Sequence, residues 1–174
     1  MSLINERNRM QELAGIIISE SITPEERLEH GVGFILKADD SAKSELLSLE
    51  IPEEPNGNSM TKLPEGKMHT TLTSIKSFKP FKQEFKEFVL PEELKIPNAV
   101  LGKGKFVYRD EQGKVTYVIP LLNQGEFKNF VDKAYKSLNL ENPEPDRFFH
   151  ITLANNEGGN PFKSIGNVTK SDFE

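Results

Sequence analysis

Two short segments of the sequence repeat the same pattern, a histidine followed two residues later by a threonine. They read His69-Thr70-Thr71-Leu72 and His150-Ile151-Thr152-Leu153, and they contain two of the three histidines in the chain. Both lie in stretches of β-branched and apolar residues, which favour strands. Because side chains alternate between the two faces of a strand, each motif is predicted to place an imidazole and a hydroxyl side by side.

Two such imidazole–hydroxyl pairs, meeting in one groove, would suit the cleavage of a phosphodiester without a metal ion. A neutral histidine can remove the proton from an attacking hydroxyl or water, and a protonated one can donate to the leaving oxygen. Threonine hydroxyls can donate hydrogen bonds to the non-bridging phosphate oxygens as negative charge develops there. We therefore take His69, Thr71, His150 and Thr152 as the candidate catalytic residues. The sequence leaves open which histidine is the acid and which is the base.

A structural interpretation stands beside the catalytic one. Single histidines are often hydrogen-bonded at a sheet surface, and it is the repeated threonine and leucine that favour catalysis for this pair. The third histidine, His30, precedes Gly31 at the end of a predicted helix. There an imidazolium would complement the helix dipole, so His30 is predicted to be structural.

Five further side chains are candidate substrate contacts, because they are predicted near the motifs, in a neighbouring hairpin or in the tail: Lys67, Thr73, Tyr108, Phe148 and Phe162. Lys67 and Thr73 would share the face of His69 in a regular strand, although a solvated charge also explains Lys67. Phe148 would share the face of His150, where it could stack on a base or pack in the core. Phe162 could close over a ligand as part of a lid, or it could anchor the tail.

Composition excludes several classes of protein. The chain has 174 residues, a formal net charge of -5 and no cysteine, which fits one domain and excludes a disulfide scaffold, a thiolate zinc site and a cysteine nucleophile. No HExxH motif or calcium-binding loop occurs, so neither a metal nor a cofactor is expected.

Charge and hydropathy indicate the partners and the compartment. A pI near 5.4 argues against binding to long nucleic acid, but it permits a small anionic ligand in a local pocket. No apolar run approaches the roughly eighteen residues of a membrane span, and no signal peptide is recognisable. We therefore expect a soluble cytoplasmic protein with no membrane partner and an oligomeric state that the sequence does not indicate.

The order of predicted elements favours an α+β domain with antiparallel or mixed sheets over a doubly wound parallel sheet. We expect a single domain with N-terminal helices over residues 1–31, a motif-bearing core over 32–154 and a tail or lid over 155–174, outside the core. Within the core we expect, in chain order, a strand at 31–38, a helix at 41–49, a loop at 51–66, an extended segment at 67–75, a phenylalanine-rich helix at 78–88, a hairpin of 101–109 with 115–122, a helix at 127–138 and a strand at 147–154. Pro120 is expected at the end of a strand or on an edge.

The paired motifs resemble the signature of the 2H phosphoesterase superfamily, which is two His-x-Thr/Ser motifs on related strands of a bilobal fold. The separation of the two histidines by 81 residues and the intervening helix, hairpin and helix are also similar to that family. The resemblance covers roughly residues 32–154. It implies a central cleft with flanking helices, and a metal-independent phosphodiesterase or nuclease acting on nucleotides.

Residues 149–155 and 159–165 are in addition similar to phage anti-CBASS enzymes, which degrade the cyclic di- and trinucleotide alarms of bacterial immunity. That resemblance implies a cyclic oligonucleotide second messenger as the substrate and a role in the interaction between virus and host. If the protein is viral, its expected compartment is the host cytoplasm. Two other interpretations stay open. One is an RNA-end enzyme that opens 2′,3′-cyclic phosphates, and the other is a non-catalytic sponge that sequesters a cyclic nucleotide.

Overall fold

A computed structural model describes residues 35–37, 40–73, 93–94, 97–160 and 163–174. Both expected N-terminal helices, His30, the phenylalanine-rich helix and Phe162 lie outside the described residues. Among the helices that are described, none is long and apolar enough to cross a bilayer.

The described residues form two α-helices and six β-strands. The helices are α1 (Asp40–Ser48) and α2 (Gln124–Ser137), and the strands are β1 (Ile35–Lys37), β2 (Thr61–Lys62), β3 (His69–Thr71), β4 (Lys105–Arg109), β5 (Lys114–Pro120) and β6 (His150–Asn155). The pairings β2–β6, β3–β6, β4–β5 and β5–β6 are all antiparallel. The predicted α+β class with antiparallel pairing is confirmed.

Strand β6 pairs with three other strands of the sheet, β2, β3 and β5. The strand order is β1-β3-β6-β5-β4, and β2 also pairs with β6. The predicted hairpin is confirmed as β4 and β5, which are joined by a 3-10 turn at Asp110–Gln112 and by Gly113 in the left-handed region. Pro120 is the last residue of β5, as expected from its missing backbone donor.

The chain forms two compact units, each assembled from three segments. Unit 1 comprises Met1–Lys37, Thr71–Pro97 and Asn123–Arg147, and unit 2 comprises Ala38–Thr70, Asn98–Leu122 and Phe148–Glu174. The helix expected at 127–138 is confirmed in unit 1 as α2. Its buried residues follow helical spacing and form one face: Phe127, Phe130, Val131 and Tyr135.

In unit 2, the C-terminal segment packs on one face of the β4–β5 hairpin. Ile165 and Val168 are buried together with Val107 and Val118. The backbone N–H of Ile165 also donates to the Thr116 hydroxyl at 3.2 Å. The expectation that residues 155–174 lie outside the core is therefore wrong, because this segment supplies half of the cluster.

Side-chain hydrogen bonds fix the loops of unit 2. Lys62 Nζ donates to the carbonyl oxygens of Leu47 and Leu49, both at 2.9 Å, and so satisfies the C-terminal end of α1. The buried Asn155 side chain binds both sides of the following turn. Its amide nitrogen donates to the Asn160 carbonyl and the Ser164 hydroxyl, and its oxygen accepts from the backbone N–H groups of Glu157 and Gly159.

The extended segment expected at 67–75 is shorter than predicted. Glu65–Lys67 is a 3-10 turn, and β3 covers only His69–Thr71. The loop expected at 51–66 likewise contains β2 and most of this turn.

Candidate functional site

The pairing of β3 with β6 brings the two motifs together. Thr70 is the partner of Ile151, so one step further along the antiparallel register His69 lies opposite Thr152. Residues opposite each other share a face of the sheet. His150 precedes Thr152 by two residues, so it lies on the same face and is the diagonal neighbour of His69. The Cα atoms of diagonal neighbours in an antiparallel pair are about 7–8 Å apart.

Burial alternates along both motifs, as expected of strands that have one covered face and one accessible face. Thr70 and Ile151 are 1% and 0% exposed, and they point to the face opposite the histidines. The four candidate catalytic side chains are all partly exposed: His69, Thr71, His150 and Thr152. Thr71 follows His69 on the same face of β3 by strand alternation.

Both imidazole rings are held by the carbonyl oxygen two residues earlier in the chain. His69 Nδ1 lies 2.7 Å from the Lys67 oxygen, and His150 Nδ1 lies 3.2 Å from the Phe148 oxygen. A carbonyl oxygen can only accept, so Nδ1 carries a proton in each ring. In the neutral form, Nε2 is then the basic nitrogen of both histidines.

Phe148 joins His150 to the core cluster of unit 2. Its ring stacks on the His150 imidazole, with a centroid distance of 6.4 Å and an interplanar angle of 13°. On another side it packs against the cluster of Val107 and Val118 and against Phe173, at a centroid distance of 5.2 Å. These contacts favour the packing interpretation of Phe148 over base stacking.

Lys67 and Thr73 do not take the places that a regular strand over 67–75 would give them. Lys67 contributes its backbone oxygen to His69, and it lies in the 3-10 turn before β3 rather than in the strand. Thr73, after the end of β3, is 2% exposed. Its hydroxyl lies 2.6 Å from the Tyr135 hydroxyl, so we leave Thr73 out of the proposed site.

Tyr108 lies on the other face of the sheet. Lys105 is opposite Val118, which in turn is opposite Thr152, so these three residues share the face of the histidines. Tyr108, three residues after Lys105, points the opposite way. Its hydroxyl donates to Glu54 at 2.6 Å, and we leave it out of the proposed site too.

Two supporting residues were not anticipated from the sequence. The half-buried Arg147 donates from Nε to the Thr71 carbonyl at 2.9 Å, and from Nη1 to Glu144 at 3.2 Å. Burial lowers the pKa of Arg147, and the Glu144 carboxylate opposes that shift. The only sequence signal for this role is the Glu–Arg spacing of three residues ahead of the final strand.

Among the described residues, no three histidine, aspartate or glutamate side chains lie close enough together to hold a metal ion. Comparison of the chain with protein-family models, with curated proteins and with solved structures gives no match.

Proposed function

We propose that this chain is a metal-independent, cytoplasmic phosphodiesterase of the 2H type that cleaves a small nucleotide, and that the nucleotide is a cyclic oligonucleotide second messenger. One observation carries the proposal. The β3–β6 register brings His69, His150 and Thr152 to one partly exposed face, with both imidazole rings in the same tautomer. An acid–base pair of this kind needs two titratable groups within reach of one phosphate, and imidazoles titrate near neutral pH.

In the proposed reaction, one histidine is neutral and the other is protonated. The Nε2 atom of the neutral ring takes a proton from water, whose oxygen then forms a bond to phosphorus. The bond from phosphorus to the leaving oxygen breaks, and that oxygen takes the Nε2 proton of the imidazolium. The two rings thus exchange protonation states, and solvent restores them before the next turnover.

The two threonines bind the phosphate in this proposal. Their hydroxyls donate to its non-bridging oxygens, where negative charge increases in the transition state. Thr152 lies opposite His69 across the strands, and Thr71 follows His69 on β3. The net charge of -5 favours a small substrate, because long RNA requires a track of lysine and arginine along its phosphates.

To test this proposal, the native protein is incubated with a panel of nucleotides in the presence of EDTA. The panel contains cyclic di- and trinucleotides, linear dinucleotides and an RNA oligomer that ends in a 2′,3′-cyclic phosphate. We expect a linear product from the cyclic substrates. We also expect a bell-shaped dependence of rate on pH and a loss of about 100-fold or more in His69→Ala and in His150→Ala. His30→Ala is the matched control.

The other outcomes count against the proposal in different ways. Activity that appears only when EDTA is left out contradicts the metal-free mechanism. Opening of the RNA end alone assigns the protein to RNA-end processing. A cyclic nucleotide that binds and is recovered unchanged after long incubation makes the protein a sponge.

A further inference from the structure

The C-terminal segment reaches the candidate site through a continuous series of contacts, all within unit 2. Phe173 packs on Phe148 at a centroid distance of 5.2 Å, and Phe148 stacks on the His150 ring. Ile165 and Val168, in the same segment, are buried against β4 and β5. The residues that follow β6 thus return to the face of the sheet that carries His150.

Arg109 fastens the end of this segment. Its Nη1 and Nη2 atoms donate to the two carboxylate oxygens of Asp172 at 3.1 and 3.0 Å. Its Nε and Nη2 atoms also donate to the Asn167 side chain and backbone oxygens, at 3.2 and 3.1 Å. Paired donation of this kind fixes orientation as well as distance.

The turn that carries Phe173 is itself capped. Thr169 and Asp172 form a capping box at the start of the 3-10 turn Lys170–Phe173, and the Thr169 N–H donates to Asp172 at 2.8 Å. Hydrogen bonds from Arg109 lower the pKa of Asp172, so this carboxylate remains charged at neutral pH. One side chain therefore both closes the turn and anchors it to β4.

The ring of His150 is held on two sides. The Phe148 carbonyl oxygen fixes the Nδ1 atom of His150, and the Phe148 ring lies nearly parallel to the imidazole ring. Phe148 lies two residues before β6 begins, so it is outside the strand. The position of its ring therefore depends on the side chains that pack against it. Those neighbours are the hydrophobic cluster of unit 2 and Phe173.

We propose that Phe173 is a positioning residue for His150, acting through Phe148, and that the anchored C-terminal turn is a part of the active site that sets the angle of the His150 ring. This inference rests on the proposed function for its catalytic consequence, but not for the placement of the ring. A small displacement of an acid or base lowers the rate strongly, because proton transfer requires close alignment. Substrate affinity depends on many other contacts and changes less.

The experiment compares Phe173→Ala and Phe173→Leu with the native protein. In Phe173→Ala, we expect the NMR signals of the His150 ring protons to move, since they lie beside the Phe148 ring, while the His69 signals stay in place. We expect kcat to fall about 10- to 100-fold with KM changed less than about twofold. Phe173→Leu, which keeps apolar support for Phe148, should recover most of the rate. Lys170→Ala, an exposed change in the same turn, is the control and should leave both readouts as in the native protein.

Unchanged His150 signals and an unchanged kcat in folded Phe173→Ala would overturn the proposal. So would equal movement of the His69 and His150 signals, because that indicates a general loss of structure. If Phe173→Ala does not fold, the same readouts on Asp172→Asn decide, since this variant weakens the Arg109 anchor and keeps the Phe173 ring. If the His150 signals move but the native protein cleaves no nucleotide, the positioning role stands and the proposed function fails.

Discussion

The imidazole rings of His69 and His150 are oriented by the same contact, in which Nδ1 donates to the carbonyl oxygen two residues earlier in the chain. The distances are 2.7 Å for His69 and 3.2 Å for His150. Because this contact is made within each chain segment, it does not depend on a bound ligand. In the proposed mechanism, the tautomer is thus set before the nucleotide binds, and neither ring needs to reorient during the reaction.

The proposed mechanism requires the hydroxyl group of Thr152. Thr152→Val keeps the shape of the side chain and removes the donor that faces the proposed phosphate. We expect kcat to fall by about 100-fold or more, whereas Thr152→Ser should retain most activity because it keeps the hydroxyl. Steady-state kinetics on the cyclic nucleotide that the native protein cleaves best is the measurement. Equal activity in the valine and serine variants would remove Thr152 from the proposed mechanism.

The elements that the sequence predicts well are those with local patterns. The apolar spacing of Phe127, Phe130 and Val131 fixes α2, and the turn residues 110–113 fix the hairpin. The C-terminal segment has no such pattern. Ile165 and Val168 stand among polar residues, and they are buried because they meet Val107 and Val118, which lie between 47 and 61 residues earlier in the chain.

For the candidate site, the sequence predicts which side chains share a face within each motif, since strand alternation is local. It does not predict the register that pairs Thr70 with Ile151, because pairing between distant strands depends on the whole sheet. The packing of Phe148 against Phe173 is equally non-local. The same limit explains Thr73, whose hydroxyl meets Tyr135 in the core after β3 ends.

The hydrogen bond between Thr73 and Tyr135 should stabilise the fold of unit 1 without a role in the proposed chemistry. Burial is the main cause that raises the pKa of Tyr135 to about 12. This hydroxyl therefore stays neutral at neutral pH. Thr73→Val or Tyr135→Phe alone takes a buried hydroxyl away from its partner. Each should lower the free energy of unfolding by about 1–3 kcal/mol.

The double variant tests whether those two losses come from one contact. With both hydroxyls gone, the loss should be smaller than the sum of the single losses, and the difference is the coupling between the two residues. Urea denaturation of the four proteins measures it. Strictly additive losses would show that the 2.6 Å contact contributes no net stability.

Gly104 should be intolerant of any side chain. A Cβ atom there would meet the Tyr117 ring and hydroxyl and would lie 2.8 Å from the Ile119 side chain. Tyr117 and Ile119 are both buried, so neither can move away at low cost. Gly104→Ala should therefore lower the free energy of unfolding by about 1–3 kcal/mol.

Gly125 offers a matched control for that substitution. It lies in the first turn of α2, and a Cβ there meets nothing within 4 Å. Gly125→Ala should raise the free energy of unfolding by about 0.4–1 kcal/mol, because alanine loses less backbone entropy on entering a helix. Thermal unfolding of both variants compares them. A stable Gly104→Ala would mean that Tyr117 has room to shift.

Glu54 should make the fold sensitive to acid. Burial by itself would raise the pKa of this carboxyl, but hydrogen bonds from Tyr108, Asn58 and Asn56 outweigh it and lower the pKa from 4.5 to about 2. The unfolded chain therefore binds a proton near pH 4.5 that the folded chain does not bind until about pH 2. Between these values the unfolded state carries more protons, so the free energy of unfolding should fall as the pH falls.

Urea denaturation at a series of pH values between 7 and 2 measures this dependence. Glu54→Gln should be less stable than the native protein at pH 7, and its stability should fall less steeply in acid, because the titrating group is gone. Glu53→Gln changes an exposed neighbouring residue and should keep the native slope. If Glu54→Gln and the native protein lose stability in parallel as the pH falls, the acid sensitivity arises from other carboxylates, and the hydrogen bonds to Glu54 do not control it.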